Sequence, residues 1–292
     1  MPDCFLDKSA TALAPVLARF GIDARPSDFI PLEGGRSNRI WLLRGALSDG
    51  DAVLKLFPTH SDNPLFPNDG NAELNTLSHL VDTGLAPKPI GGCGTDLGFC
   101  LLYKHVPGAV ASFHPNDVGH YLARLHKVQA PAGLRHVPTG ADGLRQTARE
   151  VAARVAQNTL PPMPRIADVP PAKTTCLLHG DLVPSNLVSE SAGLVAIDWQ
   201  CPAVGDPCED IAIFLSPAMQ VLYGGSPLSN EDERAFFSAY GNAAVESRYR
   251  SLKPLYHWRM AAYCAWKAER GETDYARAMG LELVALQRSA NP

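Results

Sequence analysis

The apolar and polar positions divide the chain into a first third of short alternating runs and a remainder written mostly in helical periods. Phe29 to Leu32, Arg39 to Leu43 and Ala52 to Phe57 are strand-like runs with short connections, which predicts an antiparallel meander. Ser9 to Phe20 predicts a leading helix that stops at Gly21. Asn71 to Leu80 predicts a second helix, Ala86 to Ile90 leads into another strand, and Gly98 to Gly108 carries the last strand of this part and the connection out of it. Helical spacing then dominates, over Val118–Val128, Leu144–Gln157, Tyr256–Trp266 and Thr273–Gln287. Ser229, followed by Glu231, Asp232 and Glu233, reads as the N-cap and acidic first turn of a further helix. Gln129–Gly143 and Leu160–Lys173 are rich in Pro or Gly and predict connections. Strands first and helices later predict an α+β chain, with a β-rich unit at 1–107 and an α-rich unit at 108–292.

One stretch does not fit a simple alternation. Leu177-Leu178-His179-Gly180-Asp181-Leu182-Val183-Pro184-Ser185-Asn186-Leu187-Val188 is followed by Val195-Ala196-Ile197-Asp198-Trp199. Apolar runs lead into a polar core and out of it again, the pattern of a strand, a tight loop and a hairpin turning at Ser189 to Gly193. Asp181, Asn186 and Asp198 are left among buried strands, where two carboxylates and an amide are costly without partners. A cation and a phosphate would supply those partners, and Mg²⁺ takes hard oxygen ligands while keeping contacts to phosphate oxygens. Asn186 and Asp198 suit the metal; Asp181, on the near side of the loop, suits an acceptor for a hydroxyl proton.

His-Gly-Asp-x-x-x-x-Asn followed by Ile-Asp-Trp resembles the catalytic core of the aminoglycoside phosphotransferase/choline kinase family, small-molecule kinases with a protein-kinase-like fold. The resemblance implies a bilobal molecule with an N-terminal antiparallel β lobe, an α-rich C-terminal lobe, ATP and Mg²⁺ as cofactors, and a small-molecule hydroxyl as phosphoryl acceptor. Two features separate the chain from protein kinases: Gly180 follows His179 where those enzymes place an Arg, and Gly205-Asp206-Pro207 comes too soon after Asp198 for a long activation loop. By the same resemblance His179 is scaffold, and Asp206 and Asp210 brace the catalytic loop. Lys55 binds nucleotide phosphates and Glu73 holds Lys55. Lys55 also asks for an anion on its own account, since it sits inside an apolar strand.

The turn Gly34-Gly35-Arg36-Ser37-Asn38 resembles the Gly-Gly-x-(Thr/Ser)-Asn turn of bacterial choline kinases, which makes Gly34, Gly35, Ser37 and Asn38 candidates for phosphate contact. The resemblance also places backbone contacts to the nucleotide base near Lys104, His105 and Val106. Pro58 to Gly70 reads as a mobile loop over the cleft. For the acceptor, the aromatic C-terminal helix with Trp258, Tyr263 and Trp266, together with Trp199 and Gln200, forms the candidate pocket. Aromatic faces hold a quaternary ammonium, and this leans towards choline or a related amino alcohol. Gln200, where the choline branch has Glu, leans away; a sugar, amino sugar, thiamine or an aminoglycoside are the alternatives. A non-catalytic nucleotide-binding pseudokinase is the rival from another class, but its mark, a missing Lys, Asp, Asn or metal Asp, is not found here.

Composition narrows the remaining classes. The chain has 292 residues, 46% hydrophobic and 19% charged, a globular balance. A net charge of -4 without a dense basic cluster argues against nucleic acid. Seven Cys are scattered without Cys-x-x-Cys pairing, which argues against a disulfide framework or a zinc site. No Walker-type phosphate loop occurs. No stretch reads as a signal peptide or a membrane span, so the expected location is cytoplasmic.

Overall fold

The structure, a computed structural model, describes residues 8–23, 25–32, 37–59, 62–110, 114–157, 159–191 and 193–290. After helix α1 (Lys8–Ala18), the alternating runs form the meander β1 (Phe29–Pro31), β2 (Arg39–Leu47) and β3 (Gly50–Phe57). Helix α2 (Gly70–His79) separates them from β4 (Pro89–Thr95) and β5 (Gly98–Lys104). The five strands make one antiparallel sheet in the order β1-β2-β3-β5-β4. β3 lies in its middle, paired on both sides, with Lys55 opposite Ile40 on β2 and Leu101 on β5. That explains why β3 is buried on both faces from Ala52 to Phe57 instead of alternating.

The C-terminal lobe opens with β6 (Ala109–Val110) and α3 (Pro115–Leu125), then β7 (Arg135–His136) and α4 (Gly140–Ala152). β8 (Cys176–Leu178) leads into the polar loop, and β9 (Leu187–Glu190) with β10 (Gly193–Ala196) forms the hairpin behind it. β6 adds to the outer edge of β9. β11 (Ala203–Gly205) runs antiparallel to β8 and parallel to β7. The rest is helical: α5 (Cys208–Phe214), α6 (Pro217–Tyr223), α7 (Asn230–Tyr240), α8 (Ala243–Ala268) and α9 (Asp274–Ala290). The result is a mixed α+β molecule, with an antiparallel sheet in one lobe and helices in the other, as the sequence predicts.

Two local readings change. The stretch Gln129–Gly143 is not all connection: β7 lies within it, and α4 begins at Gly140, four residues before the predicted start. Gly140 holds φ 80°, so it turns the chain into the helix with a conformation that the Ala-Val-Arg spacing does not encode. The aromatic segment is part of a 26-residue α8 that continues through Pro254. Every residue from Pro254 to Trp266 is buried, because α8 packs against α4, α5 and α9. Ser229 caps α7 as expected, in a capping box with Asp232. Among the described residues no helix is long and apolar enough to cross a membrane.

Helices α3 and α7 cross at Gly119, where a Cβ atom would lie 2.4 Å from the Phe236 carbonyl oxygen. Gly119→Ala is expected to force the helices apart and cost about 1–3 kcal/mol, read as a lowered denaturation midpoint.

Candidate active site

The polar loop is held from beneath by Asp210. One carboxylate oxygen accepts from the Gly180 N–H at 2.8 Å and the other from the His179 N–H at 2.9 Å. The second oxygen also meets His126 Nε2 at 3.2 Å. Burial pushes the Asp210 carboxyl up, but the His126 hydrogen bond and charge, His179 and the Gly180 N–H outweigh it, and the group is held below the ordinary carboxylate range. Gly180 takes φ 78°, and a Cβ there would lie 2.2 Å from the Cys201 carbonyl oxygen. Only glycine fits so tight a passage.

His179 ties the loop to backbone groups on both of its ring nitrogens. Its Nε2–H donates to the Ile197 carbonyl at 3.0 Å, and Nδ1 accepts the Asp181 N–H at 3.2 Å. Burial pushes the imidazole down, which keeps it neutral in this tautomer. Its ring lies 4.5 Å from that of Trp199. Asp206 braces the far side, accepting from Arg248 Nε at 2.6 Å and from the Cys208 N–H at 3.1 Å.

Three elements bring the charged groups together. Lys55 on β3 is fully buried, 2.5 Å from Glu73 on α2 and ion-paired with Asp198 after β10. Burial alone would push Lys55 down; Asp198 and Glu73 reverse this and raise it. Burial, with the Asp198 charge added, pushes Glu73 up against the pull of Lys55. Asp198 is the one non-glycine with positive φ among the described residues, at 63°.

Asp181, Asn186, Asp198, Ser37, Asn38 and Gln200 face one cleft. Asp181 is part-exposed at its surface yet deep in that cleft. Burial, then Asp198, raises its carboxyl well above the ordinary range, with Gln200 and Lys55 opposing. Asn186 Nδ2 donates to the Asp181 carbonyl at 2.9 Å, which leaves its amide oxygen for another partner. Asp198 spends Oδ1 on Lys55. One amide oxygen and one carboxylate oxygen fit a Mg²⁺ completed by phosphate and water oxygens. Among the described residues no group of three His, Cys, Asp or Glu suits a metal.

The remaining candidates separate. Gly34 and Gly35 lie outside the described residues. The N–H groups of Lys104 and His105 donate within the protein, to Lys88 at 2.8 Å and Asp51 at 3.0 Å, so neither is left for a nucleotide base. With Val106 these residues line a different cleft beside the hinge. Trp199 is fully buried, its Nε1–H donating to Ala196 at 2.8 Å. Trp258 is also in the core, bonded to the Pro161 carbonyl at 2.8 Å. Trp266 is buried between the Tyr263 ring and the Arg270 guanidinium. None of the three tryptophans lines the cleft; each is spent on packing within the core. Tyr263 and Gln200 do line it.

The sequence reading missed Asn63 and Phe66 from the segment before α2, and Tyr223, Lys267 and Tyr275. Lys267 was within reach, lying four positions after Tyr263 on the same helix face. The others come from separate segments with no shared spacing. Residues 62–69, expected as part of a mobile loop, are fastened: Asn68 and Asn38 exchange amide bonds at 2.8 and 3.1 Å, and the Asp69 N–H donates to the Gln200 carbonyl at 3.0 Å. Asn38 Nδ2 also donates to Gln200 Oε1 at 2.7 Å, and Gln200 Nε2 to Asp181 at 3.3 Å.

A model of the phosphotransferase enzyme family, APH, matches residues 28–255. The chain belongs to this family. Among solved structures, it is similar to a choline/ethanolamine kinase family protein from Mesorhizobium loti, at 13% identity over 99% of this chain and 96% of that one, with a TM-score of 0.68. It is also similar to the macrolide 2'-phosphotransferase MphH from Brachybacterium faecium, at 22% identity over 94% and 98% of the two chains, TM-score 0.57. A third is amicoumacin kinase hAmiN in complex with AMP-PNP, Ca²⁺ and Ami, at 14% identity over 96% and 95%, TM-score 0.62. At these identities the likeness is one of fold. No curated protein matches in sequence. The chain thus has a small-molecule, kinase-like phosphotransferase fold.

Asp210→Ala strands two loop N–H groups and His126 and is expected to cost about 3 kcal/mol near neutral pH. Because the folded Asp210 carboxyl is depressed, its contribution is present above the unfolded carboxylate range and is lost as pH falls through the folded value. Denaturant titrations of both proteins should therefore converge on acidification.

Proposed function

We propose that the protein transfers the γ-phosphoryl group of ATP, with Mg²⁺, to a hydroxyl of a small metabolite in the cytoplasm. The observation that carries this reading is the joining of Lys55, Glu73 and Asp198 across the lobes beside a cleft that Asp181 and Asn186 also face. Lys55 neutralises phosphate charge and Glu73 holds its ammonium in place. Asn186 and Asp198 hold the metal, which when bound draws phosphate charge towards itself. Asp181 orients the acceptor hydroxyl and receives its proton, with Gln200 steadying the carboxylate. Such a site works by positioning and fixed charge.

Choline or a related amino alcohol remains the favoured acceptor, now on the rings of Tyr263 and Phe66 rather than the tryptophans. A polycationic aminoglycoside is disfavoured, since Asp181 and Asp198 are the only carboxylates of described residues lining the cleft, and Lys267 lines it too.

The test is Mg²⁺-dependent ADP release against choline, ethanolamine, thiamine, hexoses, amino sugars and aminoglycosides. Asp181→Asn should lower acceptor-stimulated turnover by about 10²–10⁴-fold while MgATP still binds by calorimetry. Undiminished turnover in this variant would remove Asp181 from its role, and a protein that neither binds MgATP nor releases ADP would sink the reading.

A further inference from the structure

The orientation of one amide decides what Tyr263 offers to the cleft. Asn63 Oδ1 accepts from the Leu65 N–H at 3.1 Å and the Phe66 N–H at 2.9 Å. Two backbone donors fix that end of the amide as oxygen, so its NH₂ is the end that meets the Tyr263 hydroxyl, at 3.0 Å. The phenol oxygen is therefore an acceptor towards Asn63, and its own proton must go elsewhere. No described residue takes that proton. The ring cannot swing away to find a partner: Tyr263 is 3% exposed, with Phe66 edge-on at 4.9 Å and Tyr275 edge-on at 6.0 Å.

Lys267 adds a second donor to the same wall. It lies one helical turn beyond Tyr263, lines the same cleft and holds its ammonium over the Tyr275 ring at 5.4 Å. Glu272 pairs with it, but an ammonium has three N–H groups and Glu272 is itself part-exposed. The wall of Asn63, Tyr263 and Lys267 thus presents an O–H that no described residue takes up and a cation shared with Glu272, while the carboxylates that line the cleft are Asp181 and Asp198.

The geometry points to an acceptor that carries a carboxylate in addition to the hydroxyl that is phosphorylated, with the carboxylate received by the Tyr263 hydroxyl and Lys267. This rests on the phosphotransferase reading and, within the amino alcohols and other hydroxyl acceptors, favours a hydroxy acid over choline itself, with or without an ammonium group for the neighbouring rings. Asn63 is a positioning residue for this recognition, because it dictates which way the phenol proton points.

The experiment uses the full chain with Mg²⁺ and ATP and compares matched acceptors: choline with carnitine, ethanolamine with serine, and glycerol with glycerate. At least one carboxylate-bearing member should show about tenfold higher kcat/KM than its partner, the size of one charge-assisted hydrogen bond. Tyr263→Phe should erase that preference through KM for the carboxylated acceptor, with MgATP affinity unmoved. Asn63→Asp should do the same by a different route, since its second carboxylate oxygen takes the phenol proton and turns the donor away from the cleft. Thermal denaturation of both variants checks that the fold is kept, and Asn63→Asp provides the answer if Tyr263→Phe fails to fold. Equal rates within every pair, a preference that survives both substitutions, or no turnover of any hydroxy acid overturns the inference. Turnover of a hexose, amino sugar or choline in that last case would leave the phosphotransferase reading standing; loss of MgATP binding as well would remove both.

Discussion

A single buried ammonium holds the site together. Lys55 sits in the central strand of the sheet with no exposure to water, and an unpaired charge there would cost several kcal/mol. Its two carboxylates come from different places, Glu73 from the helix over the sheet and Asp198 from the other lobe. The pairing therefore fixes the position of α2 against the sheet and of one lobe against the other with the same atom. One ammonium thus answers two carboxylates, and it is already desolvated and fixed in place before any ligand arrives.

The loop that carries Asp181 is built on a second buried charge. Asp210 gathers two consecutive N–H groups that no strand or helix could satisfy, because the chain turns through a positive φ at Gly180. Buried backbone donors need partners, and here a carboxylate supplies both. His126 Nε2 then meets Asp210, and the Arg248 guanidinium pairs with Asp206, both from the surrounding helices. The helical lobe thus does more than cover the loop. It supplies the partners that let acidic residues stand in for a regular hydrogen-bond ladder.

Much of this was legible in the sequence, for a physical reason. Polar residues between apolar strands are costly, so Asp181, Asn186 and Asp198 announce themselves by type and spacing, and Lys55 announces its need for an anion by sitting in a strand of Val, Leu and Phe. The sheet was legible because short apolar runs with tight connections allow few arrangements. The cleft wall around Tyr263 was not. Trp258 and Trp266 share a helix with Tyr263, and periodicity cannot say which side of a 26-residue helix, packed on several neighbours, looks into a cleft. Asn63 and Phe66 reach the cleft from the other lobe through bonds to Tyr263 and the chain near Gln200, a contact between positions some 200 residues apart. At the hinge the sequence names Lys104, His105 and Val106 but not the state of their backbone: that the N–H groups of Lys104 and His105 are engaged depends on the Lys88 and Asp51 carbonyls, and no local pattern records that.

The left-handed backbone at Asp198 sets a limit on what this position can become. Aspartate and asparagine tolerate such a conformation because their short side chains can bond locally, and glycine adopts it freely, while other residues bear a strain of roughly 1–2 kcal/mol. The site is thus filtered first by backbone shape and only then by charge. Asparagine removes the charge and keeps the turn, whereas alanine removes the charge and also strains the junction where β10 hands the chain back to the core. Loss of a carboxylate and loss of the local shape are therefore separable events at this one residue, and asparagine or glycine fits the backbone here where a larger aliphatic side chain would not.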